Sequence, residues 1–325
     1  MRKLAQIILW LGLAVPSFAQ QDAQYSQYIF NGIYINPAYA GYRERININA
    51  TYRNQWTGVE GAPKSFALAA DALMPNERVG LSLMVGTEQL GAQKNISAFA
   101  NYAYRFPINE EQTSKLAFGL GLGVLQSGLD GNMLNARDVD DQFVPTGTVK
   151  EIIPDVNAGV FFSTPKMYVG ASVTNLIGAY LLKKKSLAYN FPTPRPHYYL
   201  TGGVLIPMIP YAIDFKPFFL FKDDLKGPTV LDINAFFLFK QIIWMGVGYR
   251  TGVKLYNKPN LPGDIKNKNA LIGMTEIFIS QRLRLGYSYD HSTSNLAGYA
   301  GSTHEISLSW NFYTLKEKQL NFCYF

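Results

Sequence analysis

Three histidines, His197, His291 and His304, are the imidazoles of this chain, and two stand beside acids as Asp290-His291 and His304-Glu305. Acyl transfer needs a nucleophile, an imidazole and an orienting acid within hydrogen-bond reach, and Ser292, Ser294 and Ser302 lie in the same stretch. The spacing works against that chemistry. Neighbours on a strand point to opposite faces, so neither sequential pair forms a dyad. A zinc centre needs at least three convergent ligands, which three scattered histidines and the single Cys323 do not supply. Asp138, Asp140 and Asp141, with Asn132 and Asn135, lack the glycine and distal glutamate of a calcium loop and read as a solvated acidic stretch. Gly119, Gly121 and Gly123 lie two apart, which suits close packing on one strand face rather than a phosphate cradle. The expectation is a protein without catalytic residues, metal or cofactor, and not an enzyme.

What remains is charge at every second position. In 45–53, Ile46, Ile48, Ala50 and Tyr52 alternate with Arg45, Asn47, Asn49, Thr51 and Arg53. In 282–290, Leu283, Leu285, Tyr287 and Tyr289 alternate with Arg282, Arg284, Gly286, Ser288 and Asp290, and 305–312 repeats the pattern from Glu305. Successive strand side chains alternate between faces. Arg45, Arg53, Arg105, Arg250, Arg282 and Arg284 therefore share a face with Asp71, Asp232, Asp290 and Glu305. If that face is enclosed, its charges must pair or meet water. Two readings stay open for it: an ion-pair network that fixes the fold, or a polar conduit or binding groove. Alternation by itself also fits a soluble sandwich, so export and strand length must decide.

Arg2 and Lys3, an apolar run from Ile7 to Val15 and Ser17-Phe18-Ala19 form a secretory leader over residues 1–19, with cleavage near Ala19. The run is too short to span a membrane as a helix. Net charge is +7, and no basic cluster reads as a nucleic-acid face. Tyr and Phe number 21 each, charged residues make up 16 %, and mean hydropathy is −0.03. Aromatic-rich, charge-poor chains without long apolar runs fit a transmembrane barrel, where only alternate side chains meet lipid. Fourteen alternating segments run from 45–56 to 303–313, most of them about as long as a tilted bilayer-crossing strand. With the N-terminus in the periplasm, the short turns fall on one side, and the three longest connections (128–154, 176–196 and 254–267) fall on the other. The expected fold is all-β: a transmembrane antiparallel β-barrel of about 14 strands over 45–325, preceded by a non-barrel, plug-like segment over 20–44, in the outer membrane of a Gram-negative envelope.

That segment carries Tyr25, Gln27, Tyr28 and Asn31, then Asn36, Pro37, Tyr39 and Gly41, and the chain continues to Gln55 and Trp56. Asn36-Pro37 is a turn initiator and Gly41 a candidate positive-φ position. The string QYSQYIFN, then INPAYAG and RNQW, resembles the start of the PorP/SprF family of outer-membrane proteins of Bacteroidetes-type secretion and gliding systems. Further matches are PDVNAGV at 154–160, YVGASVTNL at 168–176, WMGVGYR at 244–250 and GYSYD at 286–290. The chain departs from the family pattern at Gly32-Ile33 and at Pro196-His197. The resemblance implies a fourteen-stranded barrel of the type IX secretion system. It also implies binding of the C-terminal domain of a secreted adhesin, with support for its export or surface attachment. Partners implied are other type IX components, possible linkage to a periplasmic peptidoglycan-binding lipoprotein, and outer-membrane lipid, with no nucleic acid. Loops 128–154 and 176–196 and segment 20–44 are the expected contact surfaces. The competing expectation is an outer-membrane channel for small hydrophobic solutes.

Overall fold

The computed structural model describes residues 24–44, 46–134, 144–184, 194–258, 268–294 and 298–312. The leader, Arg45, the Asp138–Asp141 stretch and Cys323 lie outside the described residues. Fifteen strands follow in chain order. The first eight are β1 (Ile46–Asn54), β2 (Lys64–Leu73), β3 (Val79–Leu90), β4 (Gln93–Pro107), β5 (Lys115–Asp130), β6 (Thr148–Ser163), β7 (Met167–Thr174) and β8 (His197–Val204). The others are β9 (Ile206–Ile209), β10 (Ile213–Asp223), β11 (Thr229–Phe239), β12 (Ile243–Val253), β13 (Lys268–Phe278), β14 (Leu283–Ser292) and β15 (Thr303–Phe312). Every pairing is antiparallel, and β1 pairs with both β2 and β15. The ring therefore closes, and fourteen long strands each pair with two other long strands, β10 also pairing with the short β9. Each of the fourteen segments read from the sequence becomes one of them.

Burial is inverted relative to a water-soluble protein. On β1, Asn47, Asn49, Thr51 and Arg53 are buried, while Ile46 and Tyr52 are exposed. Leu122 and Val247 are 58 % and 61 % exposed, whereas Glu305 is 0 % exposed. Apolar side chains that gain nothing from water must meet hydrocarbon, and polar ones that would be stranded there turn inward. Closing the ladder of long strands also removes the two terminal edges that an open sheet would present to lipid.

Three details differ from the sequence expectation. β5 and β6 run further than alternation suggests, so the longest connection shrinks to 131–147. Between β8 and β10 lies the short β9, which pairs only with the first residues of β10; Leu205 breaks the strand there by donating its N–H to the carbonyl of Lys166 at 2.7 Å. The connection after β7 holds a short helix, α1 (Gly178–Lys184), which packs on β6.

Candidate functional site

Residues 24–44 do not enter the sheet. They form three 3-10 turns, Gln27–Phe30, Gly32–Tyr34 and Pro37–Tyr39, lying against inward faces of the barrel. Asn36 starts the last turn: its side chain accepts from the N–H of Ala38 at 2.9 Å, and Pro37 fits the first helical position. The Asn36 amide also donates to the Val160 carbonyl at 3.0 Å. Gly41, at φ +71°, turns the chain towards β1. Small residues on the wall make the fit possible. A Cβ on Gly119 would stand 2.1 Å from the Ala38 nitrogen, and one on Gly80 would stand 1.9 Å from the Ala40 carbonyl oxygen.

The segment descends from the end bearing the long connections, called here the outer end, to the end bearing the short turns, where β1 begins. One side packs on aromatics. Phe30 meets Phe236 edge-on at 5.6 Å, and Tyr28 meets Phe218 at 6.1 Å. Tyr39 meets Phe161 at 5.5 Å. The inward faces of β10–β13 thus carry a buried apolar cluster (Phe218, Leu238, Trp244, Ile272) among their charged residues, which the expectation of a charged lumen missed. The signal was present over 217–221, where proline, aromatic and aliphatic residues run unbroken through both faces, while Asp214 and Lys216 keep charge on the inward face below it.

The opposite side of the upper lumen is ionic. Arg53 bonds Asp290 and Glu305, each at 2.8 Å, and donates to the Ser26 hydroxyl at 3.0 Å. Arg250 grips Asp232 through two contacts of 2.8 and 2.9 Å and reaches Asp290 at 3.5 Å. Glu305 accepts the backbone N–H groups of Ser26 at 2.8 Å and Gln27 at 2.9 Å. The Gln27 side chain donates to the Glu305 carbonyl and accepts from Ser307. Lower down, Arg43 donates to Asn47 at 3.1 Å, Asn47 donates to Asp71 at 2.9 Å, and Arg284 faces Glu276 at 3.4 Å. This chemistry holds a segment in place.

Of the charges assigned inward by parity, Arg53, Asp290 and Glu305 come together, while Arg284 lies in the lower cluster. Arg282 does not join them. It is exposed in the turn before β14, because the strand begins one residue later and the turn frees it from strand parity. Gln55 and Trp56 also leave the group in which the sequence placed them. They begin the connection after β1, where the Gln55 N–H donates to Pro63 and the Trp56 N–H to the Thr303 hydroxyl at 3.2 Å. Tyr25 stacks on Tyr34 at 5.1 Å, Tyr28 accepts from Asn234 at 3.0 Å, and Asn31 is buried. Glu276 and Ser26 were missed by sequence reasoning. Glu276 follows Ile272 and Met274 on one parity, and that apolar prefix disguises an inward face. Asp290 and Glu305 point inward, whereas His291 and His304 point out, His304 bonding the Tyr287 hydroxyl at 2.7 Å.

At the lower end, Glu44 accepts from Arg105 at 3.3 Å and from Lys115. Burial raises its carboxyl, but Lys115 and Arg105 outweigh that and hold it below the usual carboxylate range. The folded value lies below the unfolded one, so the stabilisation is present above about pH 4.3 and is lost as pH falls through the folded value. Glu44→Gln is expected to flatten the acid limb of the stability profile, read as melting temperature in detergent across that range. An unchanged limb would show that the tie contributes nothing.

Above the segment, the outer end opens into a vestibule of about 1410 Å³, counting its mouth, lined among others by Tyr25, Tyr34, Met84, Phe99, His197 and Lys222. Two solved structures share the architecture. The Ralstonia pickettii toluene transporter TbuX superposes with a TM-score of 0.52 at 12 % identity, covering 87 % of this chain and 93 % of that one. The CymD monoaromatic hydrocarbon channel gives 0.51 at 13 %, covering 89 % and 94 %. At such identities the likeness shows the fold alone. No curated protein sequence matches the chain. The family model of the type IX secretion system membrane protein PorP/SprF matches residues 17–310, nearly all of the barrel and the segment within it. A barrel with polar side chains turned inward and an apolar exterior is what such a membrane protein requires, and this chain belongs to the PorP/SprF family of outer-membrane barrels.

Proposed function

We propose that this barrel binds the C-terminal domain of a secreted adhesin at its outer end and supports export or surface attachment of that adhesin, alongside other type IX components. The observation that carries the reading is the vertical asymmetry of the lumen: an open vestibule stands above a bore occupied by residues 24–44. We read that segment as a plug. Docking needs a cup with a floor, whereas conduction needs a continuous bore. The leader over 1–19 delivers the chain to the envelope, and no catalytic step is assigned to it. Linkage to a periplasmic peptidoglycan-binding lipoprotein would use the short-turn end.

A second reading, a channel for small hydrophobic solutes, draws on the aromatic inward faces of β10–β13 and on the fold shared with two proteins named for hydrocarbons. Tyr28 and Phe30 already cover that aromatic surface, so the docking reading is preferred. Deleting the gene is expected to remove one adhesin from the cell surface, and affinity purification from native membranes is expected to recover that adhesin's C-terminal domain. Unchanged surface adhesin, together with selective flux of a monoaromatic solute into proteoliposomes, would transfer the assignment to the channel.

A further inference from the structure

The strand registers align a row of residues around the outer end. Asn54 stands opposite His304 on one side and Lys64 on the other. Lys64 faces Gln89, Gln89 faces Lys94, Lys94 faces Gly128 and Gly128 faces Lys150. The three lysines are exposed, and each shares its strand's outward parity: Lys64 with Phe66, Lys94 with Tyr102, Lys150 with Ile152. They lie on alternate strands, which sets them about 10 Å apart. Two residues further into the wall, about 7 Å along the strands, the same face carries Tyr52, Phe66, Ile96 and Ile152, with Thr87 and Gln126 between them. Beyond these it is Ala50, Leu68, Val85, Ala98 and Val124. The lysines therefore stand where the apolar wall stops, the level at which long cationic side chains reach from hydrocarbon to headgroups.

No carboxylate pairs with these lysines among the described residues. The acid nearest in register with outward parity is Asp130, opposite Thr148, and its carboxylate accepts from the Asn132 N–H. Glu88 and Glu151 have the inward parity of their strands. Nothing but Gly128 separates Lys94 from Lys150, so no side chain blocks the space between the two ammonium groups. Gln89, between Lys64 and Lys94, offers an amide to hydroxyls. At the short-turn end Arg78 adjoins Glu77 in sequence and Lys115 bonds Glu44, and the exposed Lys166, Lys240 and Arg282 lie in turns rather than on an outward strand row.

We propose that the outward row Lys64, Lys94 and Lys150 is a binding site for the phosphate groups of a phosphorylated glycolipid of the outer leaflet, with the acyl chains lying on the wall beneath. The proposal rests on the long connections facing outward and is independent of the adhesin reading. The test titrates the full barrel in mild detergent with bis-phosphorylated lipid A, its dephosphorylated form, phosphatidylglycerol and inorganic phosphate, and counts bound molecules by native mass spectrometry. Each lysine near an anionic surface accounts for about fivefold, so K64Q/K94Q/K150Q is expected to weaken lipid A binding on the order of a hundredfold. The charge-keeping variant K64R/K94R/K150R is expected to retain it. Equal binding by the glutamine variant, equal binding of the dephosphorylated lipid, or binding of phosphate ion as tight as that of lipid A would overturn the proposal. Preference for phosphatidylglycerol would place the row in the other leaflet and also overturn it. Adhesin display by the glutamine variant reports separately on the docking reading.

Discussion

Methionine in place of Arg53 is expected to destabilise the barrel by about 3–5 kcal/mol, the cost of removing one partner from a buried ion pair. Arg53 is 3 % exposed and is the group that touches both Asp290 and Glu305. Without it, Asp290 keeps the Ser26 hydroxyl and a 3.5 Å contact with Arg250. Glu305 keeps the two backbone N–H groups and loses its cation. Two carboxylates then share a dry site with one arginine already committed to Asp232. Arg53→Lys is expected to fall between, because an ammonium is a point charge and does not bridge two carboxylates as a guanidinium fork does. The measurement is the denaturant midpoint of the folded barrel in detergent, followed by tryptophan emission and by gel mobility with and without heating. A methionine variant within about 0.5 kcal/mol of the parent, the range of ordinary surface substitutions, would show that the network is energetically idle.

Valine at position 119 should have the second large effect, on closure rather than on the wall. The first atom of any side chain there lies 2.1 Å from the Ala38 nitrogen and 2.4 Å from the Pro37 carbonyl carbon. Backbone atoms cannot step aside as a side-chain tip can, so the Pro37–Tyr39 turn must leave its seat. Overpacking alone costs about 1–3 kcal/mol, and displacement also forfeits the Asn36 bond to Val160. The expected phenotype is steady ion conductance in planar bilayers above that of the parent barrel, with new protease cleavage between Gln24 and Gly41. Gly119→Ala should show the same change in weaker form. A valine variant that stays shut and resists protease would mean that the segment is not what closes the bore.

The wall was largely legible because a bilayer enforces a rule that sequence records directly: each residue faces either hydrocarbon or lumen, and parity says which. That is why Arg53, Asp290 and Glu305 could be assigned to one face before any register was known. Parity fails where a strand ends, as Arg282 shows, and where both faces are apolar, as over 217–221 of β10. It also cannot say which strands become neighbours, so the direct pairing of Arg53 with Glu305 across the first and last strands was beyond it. The N-terminal segment was recognisable as non-strand from its Asn-Pro turn and clustered tyrosines. Its path was not, because its contacts reach residues more than 200 positions away, such as Ser26 with Asp290. The lysine row was illegible for the same reason: Lys64, Lys94 and Lys150 become a row only when five strands are in register.

The joint between β1 and β15 has a consequence for how the molecule is made. It unites the two extremities of the ladder, so it is available only after every intervening hairpin exists. A slip of one position would turn Arg53 towards lipid, and a slip of two would carry it about 7 Å away from Glu305. In either misaligned ring a naked carboxylate would be sealed away from water. The correct alignment alone lets Glu305 meet its arginine and the waiting amides of Ser26 and Gln27 together. The same contacts that seat the amino-terminal stretch thus reward closure of the cylinder in this one alignment.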